Sequence, residues 1–589
     1  MKASKFLSRG MAILLVAFML LFFVPLAFTA KAEYDDPGAT QFVFSDSGIT
    51  VTEGDYTGYE IEGTALTLKG AGTYVVSGSC TDGSIKVKKN TKGVTLILND
   101  LTLTSFDTAP IACNKSTEVI LVAAPGTSNT LTDSAYNNDD IYPDNGNAEN
   151  AVIKCKDGSQ VTICGTGTLN VNSNGKNGIK SGSTTEAEGE AWLHIKDVTM
   201  NITVVVNDGI NAEQLLFIES GNITVSAADD GIHSDYTMNI GEAGTEGPTI
   251  NITNSYEGIE AATLNIYSGN VQVKATDDGM NAANSDLTNY PFSMNFYGGT
   301  VYVLAENGDG VDSNGSITVS GGSVTIWSRS TSDNQPLDAD GTITITGGTV
   351  LAAGGSSGMG LHMNSNSQPY VTYGRSGMGG GPGGPGGPGG PGNPQQPQIN
   401  IPMGSEFSIR DTSGNTIYSG TTVYNTRYIF FSSRTLISGN SYTLYSGNTS
   451  VATSTAQGTN PPPETMHTVT FVDWNGNVLA QQQVEHGGSA IPPQAPLRMY
   501  WLFSGWIGNY TEVTEDVTIV AGYVRLGDVD ESDSVDTTDA LIILRYAMNI
   551  LEPSEFEQQL ADIDRDGDVD VIDAIVVLRH AIGIVEIPY

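Results

Sequence analysis

The stretch "ATDDGMNAANSD", residues 275–286, sets two adjacent carboxylates, Asp277 and Asp278, directly before a glycine; "DDGIHS" (229–234) does the same with Asp229, Asp230 and Gly231. Asp-Gly is a common turn dipeptide, and turn chemistry accounts for one carboxylate at each such place. Outward from there the five-residue unit returns as "NGIKS" (177–181), "DGINA" (208–212), "DGIHS" (230–234), "EGIEA" (257–261), "DGMNA" (278–282) and "DGVDS" (309–313). "QPLDA" (335–339) extends it forward, and "APIAC" (109–113) and "AVIKC" (151–155) extend it back. The third residue of every unit is apolar and the fifth is small.

A second element follows in most units, as in "LNIYSGNVQV" (264–273), "MNFYGGTVYV" (294–303), "ITVSGGSVTI" (317–326) and "ITITGGTVLA" (343–352). Alternation of period two around Gly-Gly or Gly-Asn reads as two short strands joined by a tight bend. Units recurring every 21 to 31 residues after residue 155 bury their apolar sides only by stacking on one another. The predicted fold is mainly β, with a right-handed parallel β-helix of about nine rungs. In that register Cys113 and Cys155 lie one over the other, as a disulfide or as stacked thiols.

Stacked strands lie about 4.8 Å apart, so the first residues of the units form a column: Asn177, Asp208, Asp230, Glu257, Asp278 and Asp309. Calcium bound by oxygens at roughly 2.3–2.6 Å fits between such carboxylates. Asp229 and Asp277, and the polar residues Asn211, His233, Glu260, Asn281 and Asp312, are placed to complete the shell. The doubled pairs at 229–230 and 277–278 favour calcium over turn chemistry alone. Outward aromatic positions, Tyr267, Tyr297, Tyr302 and Trp327, suggest a flat face for a sugar polymer.

The N-terminus has Lys2, Lys5 and Arg9, an apolar run over residues 11–28, and Ala30-Lys31-Ala32, the pattern of a secretory signal peptide cleaved near residue 32. A secreted, extracellular chain without stable membrane insertion is expected. The 65 acidic residues exceed the 26 basic ones, a formal charge of −39, which argues against nucleic acid as partner and favours cations or neutral polymers. Four cysteines in 589 residues exclude a disulfide scaffold.

The domain reading is a signal peptide (1–32), the β-helix (33–375), a Gly/Pro-rich disordered loop (376–398), the end of the β-helix domain (399–458) with a hairpin signal at "IRDTSGNTIYSG", and a Pro-rich linker (459–466). Residues 467–523 form a small β module with a hairpin at Asn475-Gly476, and 524–589 close the chain.

That last segment repeats an acidic loop, "DVDESDSVDTTD" (528–539) and "DIDRDGDVDVID" (562–573), each followed by an amphipathic run. The spacing of Asp528, Asp530, Ser532, Ser534, Asp536 and Asp539, and of Asp562, Asp564, Asp566, Asp568, Asp570 and Asp573, is that of EF-hand-type calcium loops. No helix is expected close before either loop. Asp533 replaces the favoured Gly, which makes the first loop the weaker calcium site.

These duplicated loops resemble a type I dockerin, which implies a scaffoldin cohesin as partner. "HTVTFVDWNGNVLAQQQVEHGG" and "WLFSGWIG" resemble an internalin-type B-repeat, a small β-grasp module. "FSDSGITV…GYEIEGTALTLKGAGTYVVSG", "VTLILNDLTLT" and the DGI units resemble a secreted β-helix family described as carbohydrate-binding and similar in fold to calcium-dependent polysaccharide lyases. That resemblance implies binding of cellulose or pectin. The function expected is a non-catalytic carbohydrate-binding protein attached to a cellulosome-like scaffold. One alternative is a pectate-lyase-like enzyme, with calcium neutralising a uronate and Lys274 as the candidate base. The other is a structural surface adhesin or stalk.

Overall fold

The computed structural model describes residues 38–587 except 55–56, 184–190, 332–333, 359, 375–396, 461–465, 497, 499–500, 512, 531, 533, 549, 552–553, 564–567 and 586. The signal-peptide reading, most of the Gly/Pro-rich segment, and the expectations for Asp533, Asp564 and Asp566 fall outside the described residues. Two compact units divide between Asn460 and Pro461. Among the described residues no helix is long and apolar enough to cross a membrane.

The first unit is built on a mixed 33-stranded sheet. Most of its pairs are parallel and fall into three ladders. In one, Ile179 pairs with Ile210, and the register continues through Ile232, Ile259, Met280 and Val311 to a bridge at Leu337. The second elements split between the other two ladders: Ser293–Phe296 pairs with Thr263–Ile266 and Ser316–Val319, while Thr300–Ala305 pairs with Asn270–Ala275 and Ser323–Ser328. The chain thus visits each ladder once before advancing by one strand. Antiparallel pairs stand at the two ends, Thr40–Ser45 with Gly48–Glu53, and Thr349–Gly354 with Tyr428–Ser433.

The regular register follows from the unit's apolar third residue. Ile179, Ile210, Ile232, Ile259, Met280 and Val311 are all fully buried between the ladders, each stabilising the fold by about 1.5–3 kcal/mol. The glycine before them is required by close approach. A Cβ on Gly279 would lie 2.1 Å from Val303 Cγ1 and 2.4 Å from the Gly310 carbonyl oxygen; one on Gly258 would meet the Gly279 oxygen at 2.1 Å. Neither glycine has a positive φ, so the Asp-Gly dipeptide here serves packing and not a left-handed turn. Cys113 and Cys155 are direct partners in the same ladder, both buried thiols.

Beyond the coils, Thr416–Thr421, Glu406–Arg410, Ser441–Ser446 and Thr449–Thr455 form a four-stranded antiparallel sheet in that order. Phe407, Ile409, Tyr442 and Leu444 from this sheet make one cluster with Trp327, Leu351 and Phe431.

In the second unit the sheet order is Val478–Glu485, Met466–Val472, Val517–Arg525, Trp501–Ile507, with a parallel central pair. Asp473 fixes the hairpin by accepting the N–H groups of Asn475 and Asn477, each at 2.8 Å. Trp506 packs edge-on against the buried Phe471, and the Arg498 guanidinium lies 3.7 Å from the Trp501 ring centre. Among the described residues three helices follow: α1 (Thr537–Ala547), α2 (Glu555–Ala561) and α3 (Val571–Ala581). Helix α2, which ends at the second loop, corrects for that loop the expectation that no helix stands close before it. Ser554 and Glu557 form a reciprocal capping box that starts it, and Asp562, the first residue of the second loop, ends it.

Candidate functional site

The unit's first residues gather at the corner where the third strand of one coil turns into the first strand of the next. Here the carboxylates are tied to the backbone of the following coil: Asp208 Oδ1 accepts the Asp230 N–H at 3.2 Å, Asp278 Oδ1 the Asp309 N–H at 2.6 Å, and Asp309 Oδ1 the Gln335 N–H at 2.5 Å. One oxygen of each is thereby fixed by an N–H donor. Asn177 opens the column as a neutral member, its Oδ1 receiving Asn207 Nδ2.

Oxygens of Asp278, Asp309 and Asp312 lie within 4.8 Å of one another, and so do oxygens of Asp208, Asp229 and Asp230. Burial, with Asp278 and Asp312 adding to it, pushes Asp309 up to about 8. Burial likewise lifts Asp278, beside Asp312 and Asp277, and Asp312, beside Asp338 and Asp340, each to about 6. Asp277 belongs to neither of these clusters.

His233 has another role from the ligand suggested by its position. Its Nδ1 lies 3.1 Å from Asp230 and 3.3 Å from Glu260, and its Nε2 lies 2.9 Å from Asp235. Burial alone lowers an imidazole's pKa, but hydrogen bonds to three carboxylates outweigh it and raise His233 to about 12. An imidazolium therefore neutralises the Asp230 end of the column. The Asp278–Asp309–Asp312 end has no such partner among the described residues. Next to it Asn281, 8% exposed, gives its Nδ2 to Glu257 and Glu260 at 3.5 and 3.4 Å, and its buried Oδ1 has no hydrogen-bond partner. An all-oxygen set with an orphaned amide oxygen fits a hard divalent cation.

The aromatic positions divide. Tyr267 and Tyr297 stack on each other along the ladder, ring centres 4.9 Å apart and planes at 8°. Tyr297 is exposed and Tyr267 half-buried. Tyr302 is partly buried against the second cluster, and Trp327 is only 2% exposed. Strand alternation does put Trp327 outside the coil, but the sheet over residues 406–455 covers that face, with Phe407 meeting the indole edge-on at 6.4 Å. Trp327 is thus a core residue and not a sugar contact.

Lys274 is exposed at the end of Asn270–Ala275, four residues before Asp278. An aromatic row missed in the sequence lies elsewhere on the unit. Phe106, Tyr136 and Tyr142 stack in series with centres 4.8 and 4.4 Å apart. The loop that carries two of them is held by the buried Asn137 and Asn138, whose amides donate to Ala151 and Gly175 carbonyls. Its long Asn-rich, strandless run between regular units was the available signal.

In the second unit the two acidic loops share a set of bonds at their helical ends. Asp539 accepts the N–H groups of Val529 and Asp536; Asp573 accepts those of Ile563 and Asp570. Asp536 and Asp570 cap α1 and α3 through the N–H groups of Thr538 and Ile572, each at 2.6 Å. Oxygens of Asp528, Asp530 and Asp539 lie within 4.8 Å of one another. The Ser532 hydroxyl turns to Ser534. In the second loop Asp568 is exposed, while Asp573 is 1% exposed.

A long ladder of short strands with ordered carboxylate corners, followed by paired acidic loops leading into helices, defines a modular, mainly β protein with a helical C-terminal domain. Residues 62–358, half of the chain, match the family described as "Carbohydrate-binding domain-containing protein", and the chain belongs to that family. Residues 526–580 match the type I dockerin domain. A "Carbohydrate-binding domain-containing protein" of Acetivibrio thermocellus is 36% identical over 110 residues, which is 18% of this chain and 37% of the relative's length. Among solved structures, a polysaccharide lyase-like protein from C. thermocellum, as a gadolinium derivative, is similar at 23% identity over 55% of this chain and 97% of its own, with a TM-score of 0.29.

Proposed function

We propose that this chain is a secreted, non-catalytic binder of a plant cell wall polysaccharide such as cellulose or pectin, held on a cellulosome-like scaffold by a cohesin that grips its dockerin. The observation that carries this reading is the union, in one chain, of a carbohydrate-binding family match and a dockerin match. The three ladders are read as a right-handed parallel β-helix of about nine rungs, which residues 399–458 complete. Residues 467–523 are read as a B-repeat-like module and 524–589 as the dockerin.

Calcium is assigned to Asp278, Asp309 and Asp312 with the Asn281 oxygen, to Asp208 and Asp229, and to the dockerin loops. When bound it would supply charge neutralisation and cross-linking of neighbouring coils. Tyr267 and Tyr297 are the proposed sugar contacts, with Phe106, Tyr136 and Tyr142 added to them. The lyase alternative rests on Lys274, close in sequence to the Asp278 corner.

Capture tests both halves together. Immobilised type I cohesin with calcium should retain the chain, and the captured chain should then retain polysaccharide. Incubation with polygalacturonate and calcium should yield no ultraviolet-absorbing unsaturated product. Sustained product that disappears in Lys274→Ala would replace binding with lyase activity.

A further inference from the structure

Two adjoining pockets of about 460 and 420 Å³ open where the loop after Ser323–Ser328 meets the loop before Tyr428–Ser433. They share Thr331 and Arg427. Arg329, Tyr424 and Asn425 line one side, and Gln398 and Asn400 the other. Between residues 197 and 460 the chain has only six lysines and arginines, so two arginines in one groove stand out against its acidic surroundings.

Arg427 is exposed, and among the described residues it makes no ion pair. Arg329 reaches Glu306 only at 4.0 Å, with 63% of its side chain exposed. An ion pair that long and that wet holds its guanidinium weakly. Both guanidinium groups are therefore available to a ligand. The planar five-donor fork of arginine matches a carboxylate in two parallel hydrogen bonds. Tyr424 supplies a ring with a hydroxyl, and the amides of Gln398 and Asn400 supply paired donors and acceptors, while Asn425, whose Oδ1 accepts the Met403 N–H at 3.0 Å, adds its Nδ2 as a donor. Rings and amides match the faces and hydroxyls of a sugar. The volume suits one or two saccharide residues.

We infer that this groove binds a carboxylate-bearing saccharide, a uronate unit of an acidic polysaccharide, with Arg427 and Arg329 as its carboxylate anchors. The site lies apart in sequence from the Asp278 corner and from the tyrosine pair. It rests on the polysaccharide-binding reading, and it gives a chain of net charge −39 a way to hold an acidic polymer without a bridging cation.

Calorimetric titration of trigalacturonate into the full chain, at fixed calcium and low ionic strength, tests it. Arg427→Ala and Arg329→Ala should each weaken binding by about tenfold or more. Arg427→Lys, which keeps the charge and loses the fork, should recover only part of the loss. Cellotriose and inorganic phosphate should bind at least tenfold more weakly than trigalacturonate. Arginine variants within twofold of the parent overturn the assignment, as does equal binding of phosphate or no binding of trigalacturonate at all. Retention on a neutral insoluble glucan, measured in parallel, separates that failure from failure of the polysaccharide reading, because the arginine variants should leave it unchanged.

Discussion

The Asp278 carboxylate accepts the backbone N–H of Asp309 at 2.6 Å, across the step from one coil to the next. The bond fixes one oxygen of Asp278 and brings the Asp309 carboxylate close to it, so the acidic corner is a consequence of the ladder register. The two side chains repel when both are ionised.

Asp309→Asn should therefore change stability in opposite directions with and without calcium. In chelator at pH 8 the variant should melt above the parent, because one repelling charge is gone. With calcium it should gain less than the parent, because one ligand charge is gone. Thermal melts of the full chain in both buffers check this. Equal calcium-induced shifts in parent and variant would remove Asp309 from the cation site.

The pH dependence has a definite sign. Asp309 is raised to about 8, and Asp278 and Asp312 to about 6, from the usual carboxylate value of 3.8. Their protonated forms are favoured in the folded chain, so this contribution is complete below pH 3.8 and lost as pH rises through 6 and then 8. In chelator the melting temperature should fall between pH 5 and 8.5. Calcium should flatten that fall, since it stabilises the ionised forms. Melts at half-unit steps, with and without chelator, provide the comparison.

Gly279→Ala should destabilise the first unit by about 1–3 kcal/mol, since the added methyl meets Val303 and the Gly310 carbonyl. Gly146→Ala is the control, as no heavy atom lies within 4 Å of where its methyl would stand and its φ is not positive. Denaturant midpoints for both variants should separate clearly, with Gly146→Ala near the parent.

Trp327→Ala and Tyr297→Ala should separate packing from binding. Trp327 is buried against Phe407, and its truncation should cost about 3–5 kcal/mol. Tyr297 is 46% exposed; its truncation should leave the melting temperature within a degree or two and weaken polysaccharide retention.

The cohesin face of the dockerin should be asymmetric. Val571 and Ile572 are exposed at the start of α3, where α1 presents the exposed Thr537 and Thr538. Exchanging the first pair for threonines and the second for Val-Ile should change cohesin affinity unequally. Equal losses in surface plasmon resonance would count against it.

The coil register was legible because it is local and repeated. An apolar third residue and a small fifth residue in each unit align Ile179 through Val311 without any knowledge of the fold's far parts. The hairpins about Asn475-Gly476 and within 409–420 were legible for the same reason. Trp327 was not: alternation places it outside the coil, but its cover comes from strands some eighty residues later. His233 sits at a position where Asn211, Glu260 and Asn281 also stand, and only the three carboxylates around it reveal a counter-ion. Helix α2 carried a readable signal, Ser554 with Glu557 three residues on, but it is short and its apolar face is narrow. The Arg329–Arg427 groove joins residues about a hundred positions apart and leaves no local pattern.

Depletion of the full chain from solution by insoluble polysaccharides, with calcium and with chelator, bears most directly on what the protein does. Retention on at least one plant cell wall polysaccharide in calcium, with no soluble product released, is the expected result. A correctly folded chain that stays in the supernatant over every polysaccharide would contradict the carbohydrate-binding assignment.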